Sequence, residues 1–307
     1  MSRDNDGSEK FQSVSDFSQM GCSGSDKGSE LQERSTSLSE AARRRLLSLR
    51  GEPLFIADWE DALMIHYEVD AELLQCVTPF ELDLLEGRAF VSLVAFTMRG
   101  MRPRLGGRFA AWLLKPIGTH NFLNVRTYAR LGAETGIYFL AEWLSNRFSV
   151  ALGPPVFGLP YRFGEIDYRH RFETSSANPC RGASGGRVRD PANNAVLNYQ
   201  VDLNSSLEPR ECETGSLQEW LMERYTAYTH VGGRSRFFRV WHPPWSQAPV
   251  EVAIADQSLL EVNWPFFRDA RVMGANFSSG VRGVWMGWPH RLAYGPRPRL
   301  RENTLVL

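Results

Sequence analysis

Gly158-Leu159-Pro160-Tyr161-Arg162-Phe163-Gly164-Glu165-Ile166 is the stretch from which this chain is best read. After a turn closed by Pro160 the side chains alternate, and a period of two places successive residues on opposite faces of a strand. Tyr161, Phe163, Glu165 and Asp167 then share one face, while Arg162, Ile166, Tyr168, His170 and Phe172 share the other. Strand signals continue in both directions. Residues 54–64, 82–85, 88–96, 121–130 and 136–143 read as extended before it, and 195–203, 234–241 and 250–254 after it. Glu86-Gly87 fits a two-residue hairpin turn, and residues 175–194 read as a long Ser/Asn/Gly-rich hairpin loop.

Helices are few. Ser37 and Glu40 form a capping-box pair that opens a short helix stopped by Gly51. Asp70 caps a second that reaches Cys76, and a third starts near Ser145 and ends before Pro154-Pro155. Ser216 and Glu219 open a fourth, whose stripe of Leu217, Trp220, Leu221, Tyr225 and Tyr228 runs on to Gly232-Gly233. Many strands and no strand–helix alternation predict a mainly β, α+β fold of antiparallel type. Residues 1–36, poor in aliphatic side chains, are expected to be a disordered tail. Residues 37–51 form the short helix and 52–307 one domain.

The Gly158–Ile166 run resembles the active-site strand of the acetoacetate decarboxylase-like superfamily, where a Gly-aromatic-Pro turn precedes two adjacent lysines. Further likeness lies in Pro79, residues 82–96, Asn124-Val125-Arg126-Thr127-Tyr128, His242-Pro243-Pro244-Trp245 and Asn276-Phe277-Ser278-Ser279-Gly280-Val281. In that order, over residues 54–292, these pieces resemble the YqjF-like family of uncharacterised bacterial proteins. The resemblance implies an antiparallel β-barrel of acetoacetate decarboxylase-like type, closed or nearly so, with a few flanking helices; closure removes vulnerable strand edges. It also implies a missing chemistry. The superfamily's Schiff-base lysine and its cationic neighbour are replaced here by Tyr161 and Arg162. A phenol forms no imine, and a guanidinium stays protonated.

Composition narrows the function classes. With 307 residues, 43% of them hydrophobic and 12% aromatic, the chain can bury a substantial core. Zero formal charge argues against bulk attraction to nucleic acid or anionic lipid, although it leaves room for a local basic patch. Lysine occurs only at Lys10, Lys27 and Lys115, so Lys115 is the one candidate amine in the folded region. A loop closing over the barrel mouth would bring it in as a substitute nucleophile. Cys22, Cys76, Cys180 and Cys212 are too widely spaced for a zinc site or a disulfide framework, and read as free thiols. The six histidines stand singly, which predicts no metal pair. Neither a Gly-x-Ser-x-Gly elbow nor a phosphate-binding glycine loop occurs, so no cofactor is expected. Without an apolar run of about 20 residues, or a hydrophobic signal core after Met1, a soluble cytoplasmic protein is expected.

Asn124, Arg126 and Tyr128 share a strand face. Facing inward, they offer an amide, a fixed cation and a phenol to a small carboxylate or enolate; facing outward, Arg126 makes a structural ion pair. The resemblance puts Tyr161 at the imine-forming position, facing the cavity. Glu165 joins it there as a buried carboxylate, or else faces solvent. Tyr161 acts as a general acid only if a cation such as Arg126 depresses its pKa; otherwise it donates a hydrogen bond. His66, after Leu63-Met64-Ile65, is a further candidate for the lining, while the His242–Trp245 corner reads as structural. These residues predict a binding protein for a small organic acid or ketone, without imine chemistry. Two alternatives stand beside it: a decarboxylase-like or enol-handling enzyme with Tyr161 and Glu165 as catalytic residues, or an interaction protein with a filled barrel. The expected partner is a small molecule, not nucleic acid or membrane, and a homo-oligomer stays open.

Overall fold

The computed structural model describes residues 38–170, 184–203 and 208–292. Helix α1 (38–47) precedes β1 (Phe55–Val69), α2 (Ala71–Val77), β2 (Glu81–Leu82) and β3 (Ala89–Pro103). Then come α3 (Gly107–Leu113), β4 (His120–Leu131), β5 (Glu134–Leu144), α4 (Arg147–Phe157), β6 (Tyr161–Phe163) and β7 (Glu165–Arg169). β8 (Ser184–Arg189), β9 (Val196–Val201), β10 (Arg210–Glu211), α5 (Leu217–Met222), β11 (Thr226–Val231) and β12 (Arg234–Trp241) follow. The chain continues through β13 (Ser246–Val250), β14 (Val252–Asp256), α6 (Ser258–Asn263), β15 (Arg271–Met286) and β16 (His290–Arg291).

The large sheet runs β15–β1–β3–β4–β5–β11–β12, and β12 pairs again with β15 through Val240–Met286 and Trp241–Trp285. The circuit of pairings is therefore continuous. The sequence reading of a wholly antiparallel sheet is corrected: β5 pairs in parallel with both β6 and β11. The β5–β6 pair is a short βαβ unit, since α4 carries the chain back so that both strands run the same way.

Both faces of this sheet are covered, which explains the unbroken burial of residues 89–96 in β3. One face, with Leu63, Ile65, Leu93, Val125 and Trp143, packs against the four-stranded sheet β14–β9–β8–β7 and against α6. The other, with Met64, Val94, Phe96, Phe122 and Phe139, looks into the circuit. The small sheet alternates as a half-buried sheet should: Val188, Leu197 and Tyr199 point inward, Arg187 and Asn198 outward.

Several boundaries depart from the sequence reading. α4 is capped by Asn146, which accepts from the Ser149 amide at 3.0 Å, and it runs through Pro154-Pro155 to Gly158 in the left-handed region. α5 stops at Met222 instead of reaching Gly232-Gly233. Thr226–Val231 is a strand instead, and the two glycines, at φ 59° and 72°, turn it into β12. Residues 184–189, assigned to a loop, form β8. The longest strand, β15, was not anticipated. Its glycines mask it, yet Gly280 has a structural reason: a Cβ there would lie 2.0 Å from the Trp59 carbonyl oxygen. The expected tail at residues 1–36 falls outside the described residues.

Candidate functional site

The circuit encloses a cavity of about 280 Å³, walled mostly by apolar side chains such as Phe96, Phe122, Phe139 and Phe238. A cavity of this size and character takes a small organic molecule and orients it with few polar groups. The polar groups here come from adjacent strands in register. Asn124 of β4 faces Glu142 of β5, and Glu142 faces Tyr161 of β6, so three polar side chains form one row across the wall. Arg126, one inward position further along β4, extends it.

Arg126 is buried, and among the described residues no carboxylate lies within ion-pair distance of it. Its position is set by the C-terminal end of α5, where helix carbonyls lack intrahelical partners. The Leu221 carbonyl accepts from Arg126 Nη2 at 3.2 Å and from the Tyr128 hydroxyl at 2.9 Å. One residue earlier, the Trp220 carbonyl accepts from Arg224 Nε at 2.7 Å, and Arg224 Nη1 pairs with Asp83 at 2.7 Å. Arg224 is thus neutralised where Arg126 is not.

Behind Arg126 runs a hydrogen-bonded relay whose proton positions follow from donor counting. Tyr128 commits its single proton to Leu221, so Ser92 donates to the Tyr128 oxygen at 2.5 Å. Ser92 has then spent its own proton, and His66 Nδ1 donates to Ser92 Oγ at 2.7 Å. Burial, aided by the positive field of Arg126, lowers the His66 pKa to about 3 and so favours the neutral ring.

Glu142 is wholly enclosed, and burial pushes its carboxyl well above the ordinary carboxylate range. Burial thus favours its neutral form, which can donate a hydrogen bond. Its Oε2, the Asn124 Oδ1 and the Arg126 Nε are buried without a hydrogen-bond partner among the described residues. Burial, then the neighbouring Glu142, push the Tyr161 phenol well above its usual value. The condition set for Tyr161 as a general acid therefore fails, and the phenol is a hydrogen-bonding group. His242 also lines the cavity, neutral because burial lowers it.

Of the residues singled out in the sequence, Asn124, Arg126 and Tyr161 line the cavity. Tyr128 and His66 stand in the layer behind it, joined through Ser92. Glu165 is corrected: it is exposed and pairs with Arg189 at 2.7 Å. The reason is Gly164, where the chain leaves the large sheet; beyond it, β7 joins the small sheet and presents that face to solvent. Lys115 is exposed, although its neighbours Leu114 and Ile117 do close over the cavity. Glu142, Arg224 and His242 were missed. The available signal for Glu142 was a lone acid in the otherwise apolar run 136–143. Among the described residues, no cluster of His, Cys, Asp or Glu is arranged to hold a metal. No helix among them is long and apolar enough to cross a membrane.

The sequence pattern of DUF2071, described as an uncharacterized conserved protein, matches residues 56–270. The uncharacterized protein YqjF of Bacillus subtilis (strain 168) is 27% identical over 209 residues, covering 67% of this chain and 79% of that protein. An acetoacetate decarboxylase-like enzyme from Sphingomonas wittichii RW1 has a similar structure, with TM-score 0.53 at 17% identity over 78% of this chain and 94% of the other. The enduracididine biosynthesis enzyme MppR, solved with pyruvate, gives TM-score 0.53 at 13% identity over 79% and 91%. At such identities the likeness carries the fold alone.

Proposed function

The chain belongs to the DUF2071 family, and from that premise we propose that it binds a small organic anion, a carboxylate or the enolate of a ketone, inside a barrel-like circuit of strands. One observation carries the reading: Arg126 is a buried cation on the cavity wall with no carboxylate partner among the described residues. An isolated charge taken out of water is costly unless something compensates it. A ligand oxyanion supplies that compensation, with the neutral Glu142 and the Tyr161 phenol as donors to a second oxygen. The apolar walls receive the rest of the molecule. Imine capture has no place in this scheme, because the family resemblance puts Tyr161 where the amine would act and Lys115 is exposed.

The test is calorimetric titration of short-chain 2- and 3-keto acids and their ketones into the purified protein. Saturable binding of the acids that Arg126→Met abolishes supports the proposal. Equal binding by wild type and variant, or none to any acid, removes it.

A catalytic version is favoured by one further observation, the Glu142 carboxyl on the cavity wall with its Oε2 unpartnered among the described residues, where burial favours the protonated form. After loss of carbon dioxide from a bound 3-keto acid, the enolate carbon would take the Glu142 proton, and solvent would restore it. Turnover lost in Glu142→Gln with binding retained would distinguish this from binding alone.

A further inference from the structure

We propose that the mouth of the cavity docks on an anionic lipid surface through the exposed rings of Phe109, Trp112 and Phe148 and the cations set among them. Apart from Arg108, α3 is built only of glycine and apolar residues. Ala110 and Ala111 turn inward, followed by Leu114 and Ile117 on the cavity, while Phe109, Trp112 and Leu113 face out. Apolar rings on the outer side of such a helix belong in an apolar environment. Phe109, 70% exposed, and Trp112, 66%, lack one, as does Leu105, 73%, just before the helix. The Phe109 and Trp112 rings stack at 6.3 Å, so they stand together as one surface.

α4 extends that surface. Its N-cap, Asn146, donates from Nδ2 to the Pro116 carbonyl at 2.7 Å, which ties the start of α4 to the turn that follows α3. Phe148 is 68% exposed, and Leu152 and Val156 are both solvent-exposed and part of the cavity wall. The cavity therefore opens within the apolar patch.

Charge selects the occupant. No Asp or Glu occurs in residues 87–133 or 143–164. Arg102, Arg108, Lys115 and Arg147 are exposed in the same two stretches. Among the described residues none of these four has a carboxylate within ion-pair distance, so they stand as unpaired positive charge in a chain of zero net charge. Exposed aromatic and aliphatic side chains among cations match the interface of an anionic bilayer, where rings sit at headgroup level and basic groups meet phosphates. A second copy of this chain is a poorer fit. A two-fold contact would set the same cations face to face, with no acid in either stretch to offset them.

Flotation of the full-length protein with vesicles tests the proposal. Phosphatidylcholine vesicles containing phosphatidylglycerol are expected to carry it, phosphatidylcholine alone far less, and added salt should release it. Phe109→Ser with Trp112→Ser should abolish flotation at an unchanged melting temperature, since both rings are exposed. Arg108→Gln and Lys115→Gln should each weaken binding about fivefold, and they decide the matter alone if the ring variant unfolds. Wild type that floats with neither vesicle overturns the proposal. So does flotation indifferent to the cation variants, or a dimer, without vesicle binding, that the ring substitutions dissociate.

Discussion

Glu142 and Tyr161 face each other across the parallel pairing of β5 and β6, and the carboxyl is one cause that keeps the phenol un-ionised. Burial favours the protonated form of both, which makes them a donor pair on a cavity wall, with the guanidinium of Arg126, unpaired with any carboxylate among the described residues, on the neighbouring strand. An oxyanion is the species that satisfies all three.

Replacing Arg126 should separate binding from folding. Arg126→Met removes the charge but leaves the Tyr128 bond to Leu221, so anion affinity is expected to fall about 100-fold with little loss of stability. The same change lifts a positive charge from His66, whose pKa should rise from about 3 while burial still keeps it below the ordinary value. Calorimetry and an NMR titration of the His66 ring check both parts.

Glu142 makes stability depend on pH with a definite sign. Its folded pKa is raised, whereas the unfolded chain releases the proton near about 4.3. Above that value the unfolded state has lost a proton that the folded state keeps, so stability falls as pH rises toward the folded pKa. Glu142→Gln should therefore melt higher than wild type at neutral pH and lose the advantage below about pH 4. Thermal melts over a pH series decide it; a constant difference would show that Glu142 does not titrate this way.

Gly153 controls the Tyr161 ring. A Cβ at Gly153 would lie 2.1 Å from Tyr161 Cε2, so the ring must move in Gly153→Ala. Overpacking of this kind costs about 1–3 kcal/mol, and ligand affinity should fall although no polar group is removed. Tyr161→Phe is expected to weaken binding about fivefold at near wild-type stability, the worth of one neutral hydrogen bond. Chemical denaturation together with calorimetry separates the two effects.

Gly280→Ala should be the most damaging single methyl in the sheet. The new carbon would lie 2.0 Å from the Trp59 oxygen at a φ of 116°, which a side chain tolerates poorly. A loss of ~3 kcal/mol is expected in urea denaturation, from strain between β15 and β1.

Much of the fold was legible because buried strands and capping residues leave local traces. Asp70 and Ser216 cap helices as the sequence indicates, and Glu86-Gly87 turns with both residues at positive φ. Alternation puts Asn124 and Arg126 on one strand face without saying which way it looks, and Tyr161 stands out only by family resemblance. Tyr225 and Tyr228 fit a helical stripe equally well, so periodicity alone runs α5 on into β11; only the tertiary pairing with β5 decides between them. Glu165 failed for a related reason, since alternation assigns a face but cannot reveal that the strand changes sheets at Gly164. Glu142 carries no motif, and its role arises from the register of three strands.

The acceptor that aims both the guanidinium of Arg126 and the hydroxyl of Tyr128 is a main-chain oxygen, that of Leu221. Drift in the side chains of α5 therefore cannot disarm the cation, provided the helix still ends where it does. The charge in this pocket is held by where a helix stops, so a shift in that stopping point by one residue would re-aim it more surely than any exchange of neighbouring side chains.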